Sequence, residues 1–164
     1  LQLRGYGQIP AETIKALGAS PVTMSSGEVY MAIQRGTIDG QTSGTTAMYQ
    51  RKIYEVAKYL TMTNHAFCEF VLAMNNTSWE QLTEEQKQLV TQCAEETRDE
   101  IRQQTKEEDL KAMQKLKDSG MEVYTIPAED IPLWQDATME VRENFIRNTG
   151  DLGRQLVNQC LSAN

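Results

Sequence analysis

Within its first 44 residues the chain changes element every few residues, and that rhythm limits what it folds into. Leu1-Gln2-Leu3-Arg4 alternates apolar and polar side chains, as a strand end does. Pro10 opens a helix where a missing N–H costs little. Ile14 and Leu17 lie on one face of it, and Gly18 suits the left-handed closing position. Pro21-Val22-Thr23-Met24 reads as a second strand. Ser25 and Glu28 have the spacing of a capping box, opening a helix with Val29, Ala32 and Ile33 on its buried stripe and Gly36 at its end. Thr37-Ile38 reads as a third strand tip. Strand, helix, strand, helix, strand with short connections specifies a parallel α/β sheet. In such sheets ligands gather beyond the carboxyl ends of the strands. Residues 39–44 are expected just past the third strand, where glycines let a ligand approach and Gln41, Thr42 and Ser43 offer hydrogen bonds.

Residues 45–56 read as a further helix. Tyr59–Thr63 and Phe67–Met74 are rich in aromatic and β-branched residues and suggest two strands in the middle of a sheet. Thr77 or Ser78 is placed to cap a short helix holding Trp79 and Leu82. Residues 84–118 contain no Gly or Pro, and their ten acids and seven bases leave only a thin apolar stripe. At 1.5 Å per residue that is a helix roughly 50 Å long. Its charges suit a solvated helix laced with ion pairs, and its length suits a strut between two lobes. Ser119-Gly120 closes it, Glu122–Ile126 forms a last strand, and helices at about 130–148 and 151–161 finish the chain.

A length of 164 residues suits one compact domain or one lobe of a larger protein. The formal net charge of −7 argues against nucleic acid as a partner, because phosphate binding needs a basic face. No apolar run approaches the ~18 residues of a membrane span. The chain opens at Leu1 without a leader pattern, so a processed or excised piece is expected. Cys68, Cys93 and Cys160 are far apart, match no metal spacing, and are expected to be buried free thiols.

No catalytic set is visible. His65, the one histidine, reads as a structural hydrogen-bonding residue, and Ser43-Gly44 lacks the nucleophile-elbow pattern. Asp39 before Gly40 reads as a turn-holding residue more than a catalytic carboxylate. Gly5-Tyr6-Gly7 is too short for a phosphate loop. No metal site and no cofactor are expected. Arg4 is different. It ends the first strand beside Gly5 and Gly7, which keep bulky side chains off its guanidinium. A fork there can hold a carboxylate through two parallel hydrogen bonds, and a plain surface arginine is the competing reading.

Gly18-Ala19-Ser20-Pro21-Val22-Thr23-Met24, Glu28-Val29-Tyr30, Ala32-Ile33-Gln34 and Gly36-Thr37-Ile38-Asp39-Gly40-Gln41 resemble one family in order and spacing. So do Tyr54-Glu55-Val56-Ala57-Lys58-Tyr59 and Thr61-Met62-Thr63-Asn64-His65. The family is the solute receptors of tripartite ATP-independent periplasmic (TRAP) transporters. The resemblance runs the length of the chain and is strongest over residues 1–82.

It implies an α/β lobe like that of type II periplasmic binding proteins. That lobe has a mixed sheet flanked by helices, a lobe-spanning helix at about 84–118 and C-terminal helices. Residues 1–82 would be the ligand-binding core, and residues 83–164 the long helix, a strand and the helices packed on it. The other lobe and a signal peptide would precede Leu1. The implied protein is periplasmic and not an enzyme. It would capture a small organic acid and deliver it to a TRAP membrane permease. Self-association of the piece is expected from apolar surface left uncovered.

The family's carboxylate-binding arginine falls on Arg4. A position aromatic in some members falls on Ser26, and one often occupied by Asn falls on Ser43. Both departures make the pocket smaller-sided and leave the acid's identity open. Tyr6 and Gly7 sit where the pocket wall should be, with Tyr6 either facing the ligand or packed, and Gln41 is expected at the rim. Two readings compete with the receptor: a hydrolase-like α/β enzyme lobe, and the ligand-sensing domain of a membrane receptor.

Overall fold

In the computed structural model, residues 1–66 and 69–162 are described, and they form two parallel sheets with helices packed on them. In chain order the elements are β1 (Gln2–Gly5), α1 (Gln8–Ala16), β2 (Ser20–Thr23), α2 (Val29–Gln34), β3 (Gly40–Gln41), α3 (Thr45–Gln50) and β4 (Tyr59–Met62). Then follow α4 (Asn76–Glu80), α5 (Glu84–Asp118), β5 (Glu122–Thr125), α6 (Ile131–Ala137) and α7 (Met139–Ser162). The first sheet has the order β2-β1-β3 and the second pairs β4 with β5. Every ladder among the described residues is parallel. The α/β lobe with a long helix and C-terminal helices is therefore present.

Local chemistry explains the element ends. At the end of α2, Gly36 sits at φ 69°, its N–H bonds the Ile33 carbonyl, and the Thr37 N–H reaches back to Ala32. This double bond closes a helix through a left-handed residue, a conformation that glycine adopts without a Cβ penalty. The chains leaving α1 and α5 close in the same way at Gly18 and Gly120. The Thr83 hydroxyl accepts from Gln86 N–H while the Gln86 side chain accepts from Thr83 N–H, a complete capping box at the start of α5.

Several expectations shift. Helix α1 starts at Gln8, so Pro10 is its third residue, still within the turn whose N–H groups lack intrahelical partners. The Ser25–Glu28 box forms only half: the Glu28 carboxylate takes the Ser25 N–H and hydroxyl, while the Glu28 N–H bonds the Ser25 carbonyl in a turn. The third strand is Gly40–Gln41 and not Thr37-Ile38, because Thr37 and Ile38 are drawn to the Ala32 carbonyl. Gln41 thus lies in the sheet rather than past it. Helix 45–56 breaks after Gln50, where Lys52 turns left-handed at φ 56° and swings Ile53 into the core. Asn75, not Thr77 or Ser78, caps α4, its side chain accepting from both of their N–H groups.

Residues 69–74 form no strand, and Phe70, Val71 and Leu72 are almost fully exposed; no strand among the described residues lies beside them to complete a ladder. The part of that expectation on Phe67 and Cys68 lies outside the described residues. Cys93 and Cys160 are free thiols but exposed rather than buried, because among the described residues no layer covers their helix faces; Cys68 lies outside the described residues. The helix expected at 130–148 divides at Thr138, whose N–H and hydroxyl both bond the Trp134 carbonyl. The break expected near 150 is a kink at Gly150 inside α7.

The core joins α2, α3, the second sheet and the last turns of α5 through Val29, Ile38, Met48, Ile53, Leu60, Leu116 and Met121. Only Ala112 and Leu116 of the 35 residues of α5 are buried, while Leu89, Ile101 and Leu110 are exposed. The helix is anchored at its C-terminal end and runs free of the core elsewhere.

That asymmetry predicts unequal truncation costs. Leu116→Ala should lose about 2–5 kcal/mol in chemical denaturation, and Leu110→Ala no more than about 0.5 kcal/mol. Equal losses would contradict the one-ended anchoring.

Candidate ligand-binding site

The middle strand of the first sheet carries the candidate site. Arg4 pairs with Val22 on β2 and with Gln41 on β3. Register partners in a parallel sheet project to one face, so the Arg4 and Gln41 side chains stand side by side. Arg4 is 7% exposed and is the one buried charged residue among those described. Its Nε donates to the Met24 carbonyl at 3.2 Å, just beyond the end of β2. Among the described residues no hydrogen bond or ion pair engages its two terminal nitrogens. The fork is thus held by its root and presents its outer edge. The Tyr6 ring lies 5.7 Å from the guanidinium carbon, within cation–π range, and Tyr6 is 45% exposed.

Gln41 adds a second unusual group. Its Nε2 is buried and has no hydrogen-bond partner among the described residues. A buried donor without an acceptor costs about 1–3 kcal/mol. Beyond Gln41 the Thr42 N–H bonds the Arg4 carbonyl at 3.0 Å, which ties the start of the next loop to β1. Ser43 follows, half-buried, just before Gly44 and α3. Ser26 lies in the turn after β2, two residues past the carbonyl that holds Arg4. Gly7, at φ 120°, begins α1 beyond Tyr6.

The expected residues therefore separate into a centre and a rim. Arg4, Gln41 and the Tyr6 ring are brought together, while Gly7, Ser26 and Ser43 lie on the loops that leave the carboxyl ends of β1, β2 and β3. Gly5 has a different job from the one read in the sequence. A Cβ there would stand 3.2 Å from both the Ala11 nitrogen and Ile14 Cδ1, so Gly5 lets α1 close on β1. The Met24 carbonyl was not foreseen. Its signal was the neighbouring placement of the first two strands, which brings a strand-end carbonyl beside Arg4.

Asp39 and His65 take structural roles. The Asp39 carboxylate accepts from Gln2 N–H at 2.6 Å at the amino end of β1, away from Arg4. His65 Nδ1 meets the Thr63 hydroxyl at 2.5 Å. Among the described residues, no three His, Cys, Asp or Glu side chains gather to hold a metal ion, and no helix is long and apolar enough to cross a membrane. Two surface grooves lie elsewhere, one beside Trp79 and the start of α5, the other beside Thr46 and Ile101.

At the rim, the Ser25 hydroxyl and then its N–H hold the Glu28 carboxyl below the usual carboxylate range. A lowered folded-state pKa stabilises above the ordinary value and is lost as pH falls through the lowered one. Ser25→Ala should raise the Glu28 pKa towards its ordinary value in an NMR titration. An unchanged titration would show that the two residues are not bonded in solution.

Known proteins similar to this chain share its fold. Residues 1–148 match the model of a family described as bacterial extracellular solute-binding protein, family 7. The ectoine-binding periplasmic protein TeaA of Halomonas elongata is 34% identical over 151 residues, covering 91% of this chain and 44% of that protein. The C4-dicarboxylate-binding periplasmic protein DctP of Rhodobacter capsulatus is 30% identical over 138 residues, covering 84% of this chain and 41% of that protein. A TRAP periplasmic solute-binding protein from Sulfitobacter sp. NAS-14.1, solved with bound β-D-galacturonate, superposes with a TM-score of 0.87 at 26% identity, covering 96% of this chain and 52% of that one. The chain spans about half the length of the proteins it matches.

Proposed function

We propose, since the chain belongs to family 7 of the bacterial extracellular solute-binding proteins, the receptors of TRAP transporters, that it forms one wall of a cleft that captures a small organic acid. The protein is a periplasmic binding component of a transport system and not an enzyme. The hydrolase-lobe reading falls with that membership. Delivery to the TRAP membrane permease is the role that the reading assigns to the complete receptor. Residues 1–82 act as the ligand-binding core, and residues 83–164 supply the long helix, β5 and the helices packed on that core.

One observation carries the proposal. Arg4 is buried and charged, and among the described residues it is held only through Nε, with its terminal nitrogens unengaged. A carboxylate is the group that fits such a fork, through two charged hydrogen bonds in one plane. Ectoine, C4-dicarboxylates and galacturonate, the ligands named for the similar proteins, all carry one. Tyr6 walls the guanidinium on one side, Gln41 stands beside it, and Gly7, Ser26 and Ser43 line the way in.

The test is calorimetry on the complete receptor, with the acid taken from a thermal-shift screen of carboxylates, sugars and amines. Charged hydrogen bonds contribute roughly 1.5–3 kcal/mol each, so Arg4→Ala should weaken binding about 10²-fold or more. Arg4→Lys should also lose heavily, because an ammonium cannot reproduce the planar fork. A screen that returns only sugars or amines, or an Arg4→Lys receptor of unchanged affinity, would overturn the proposal.

A half-cleft should behave differently. Small-ligand sites enclose about 70–90% of their ligand, whereas this wall leaves the acid facing water, where ion pairs are worth little. The 164-residue chain alone should bind the acid far more weakly than micromolar. Its exposed Phe70-Val71-Leu72 run should also make it self-associate in sedimentation experiments. Micromolar binding by a monomeric 164-residue chain would contradict both statements.

A further inference from the structure

The loop that leads from β3 to α3 has only three residues, Thr42, Ser43 and Gly44. A chain that short spans at most roughly 11 Å, so whatever fixes its two ends fixes Ser43 between them. The sheet fixes the first end, where the Thr42 N–H bonds the Arg4 carbonyl at 3.0 Å. The second end is the first turn of α3, and Gly44 in the capping position has no side chain to hold that turn. The long helix supplies what Gly44 lacks. The hydroxyls of Thr45 and Thr46 both donate to one oxygen of the Asp109 carboxylate, at 3.2 Å and 2.5 Å. We infer that Asp109 is a positioning residue of the ligand site: from α5 it sets the first turn of α3, and through that turn the place of Ser43 at the cleft rim.

This inference rests on the reading of Ser43 as part of the rim, and it adds a residue that touches no ligand. The far end of α3 is held independently. Met48 is buried in the same core as Leu116, and Lys115 Nζ stands 4.9 Å from the centre of the Tyr49 ring. Those contacts keep α3 on α5 without Asp109, so loss of the carboxylate frees the first turn and not the whole helix. The two threonine bonds are exposed, and exposed polar pairs add little to global stability. Position and stability therefore come apart: Asp109 decides where the loop sits far more than whether the chain folds. An amide oxygen can accept the same two hydroxyls, and a methyl group cannot.

Amide hydrogen exchange read by NMR and calorimetry, both on the complete receptor, test this, with succinate and galacturonate as the carboxylate probes. The Met48 N–H bonds the Gly44 carbonyl across the first turn of α3, and the Arg51 N–H bonds the Ala47 carbonyl across its last. In the free Asp109→Ala receptor the Met48 amide should exchange about tenfold faster and the Arg51 amide at its former rate. Whichever probe binds should bind about three- to tenfold more weakly, while the melting temperature moves by no more than about 2 °C. Asp109→Asn should restore both exchange and affinity. Thr45→Val with Thr46→Val should reproduce Asp109→Ala, and adding Asp109→Ala to that pair should change nothing further. Unchanged exchange at Met48, unchanged affinity, or a large fall in melting temperature in both Asp109→Ala and the threonine pair would overturn the inference. If neither acid binds the unaltered receptor, the carboxylate reading fails by itself, and exchange at Met48 still decides whether Asp109 sets the turn.

Discussion

The structure depends on a charge buried in the centre of a three-stranded parallel sheet. Taking a guanidinium out of water is costly unless its hydrogen-bonding groups are met. Among the described residues the Arg4 side chain makes one hydrogen bond, from Nε to the Met24 carbonyl. That bond exists because β2 runs alongside β1 and ends one residue before Met24. The sheet therefore does two things for Arg4. It fixes the base of the side chain on a rigid strand, and it leaves the outer edge for something else to satisfy. On the proposed reading, a carboxylate from solution is the group suited to that edge.

The rest of the chain supports that strand. Gly5 admits α1 to within contact of β1, and Asp39 ties the approach to β3 to the amino end of β1. Gly36 turns α2 so that Ile38 reaches the core before Gly40 and Gln41 join the sheet. Leu116 and Met121 link the end of α5 to the same core. The long helix adds little burial along its first two thirds. Its order rests on the capping box at Thr83 and on short-range pairs such as Lys87 with Glu84 and Lys111 with Glu108.

Much of this was legible in the sequence where local chemistry decides the outcome. The limits of α5 follow from Thr83, Gln86 and Gly120, and the alternation of strands and helices up to residue 41 follows from periodicity and helix-closing glycines. Arg4 could be named as a candidate from its place at the end of the first strand, and Gln41 from a loop expected just past the third. What sequence could not supply depends on contacts between distant residues. The Met24 carbonyl under Arg4, the orphaned Gln41 amide and the left-handed turn at Lys52 all come from how elements pack. Residues 69–74 show the opposite failure. Their composition asks for a strand, and composition alone cannot provide the neighbouring strand that a ladder needs.

The most direct measurement is a crystal structure of the complete receptor with a bound acid. The account predicts both terminal nitrogens of Arg4 at about 2.7–2.9 Å from the two oxygens of one carboxylate, with Nε still on the Met24 carbonyl. An acid bound elsewhere, with the outer edge of Arg4 facing only water, would contradict it.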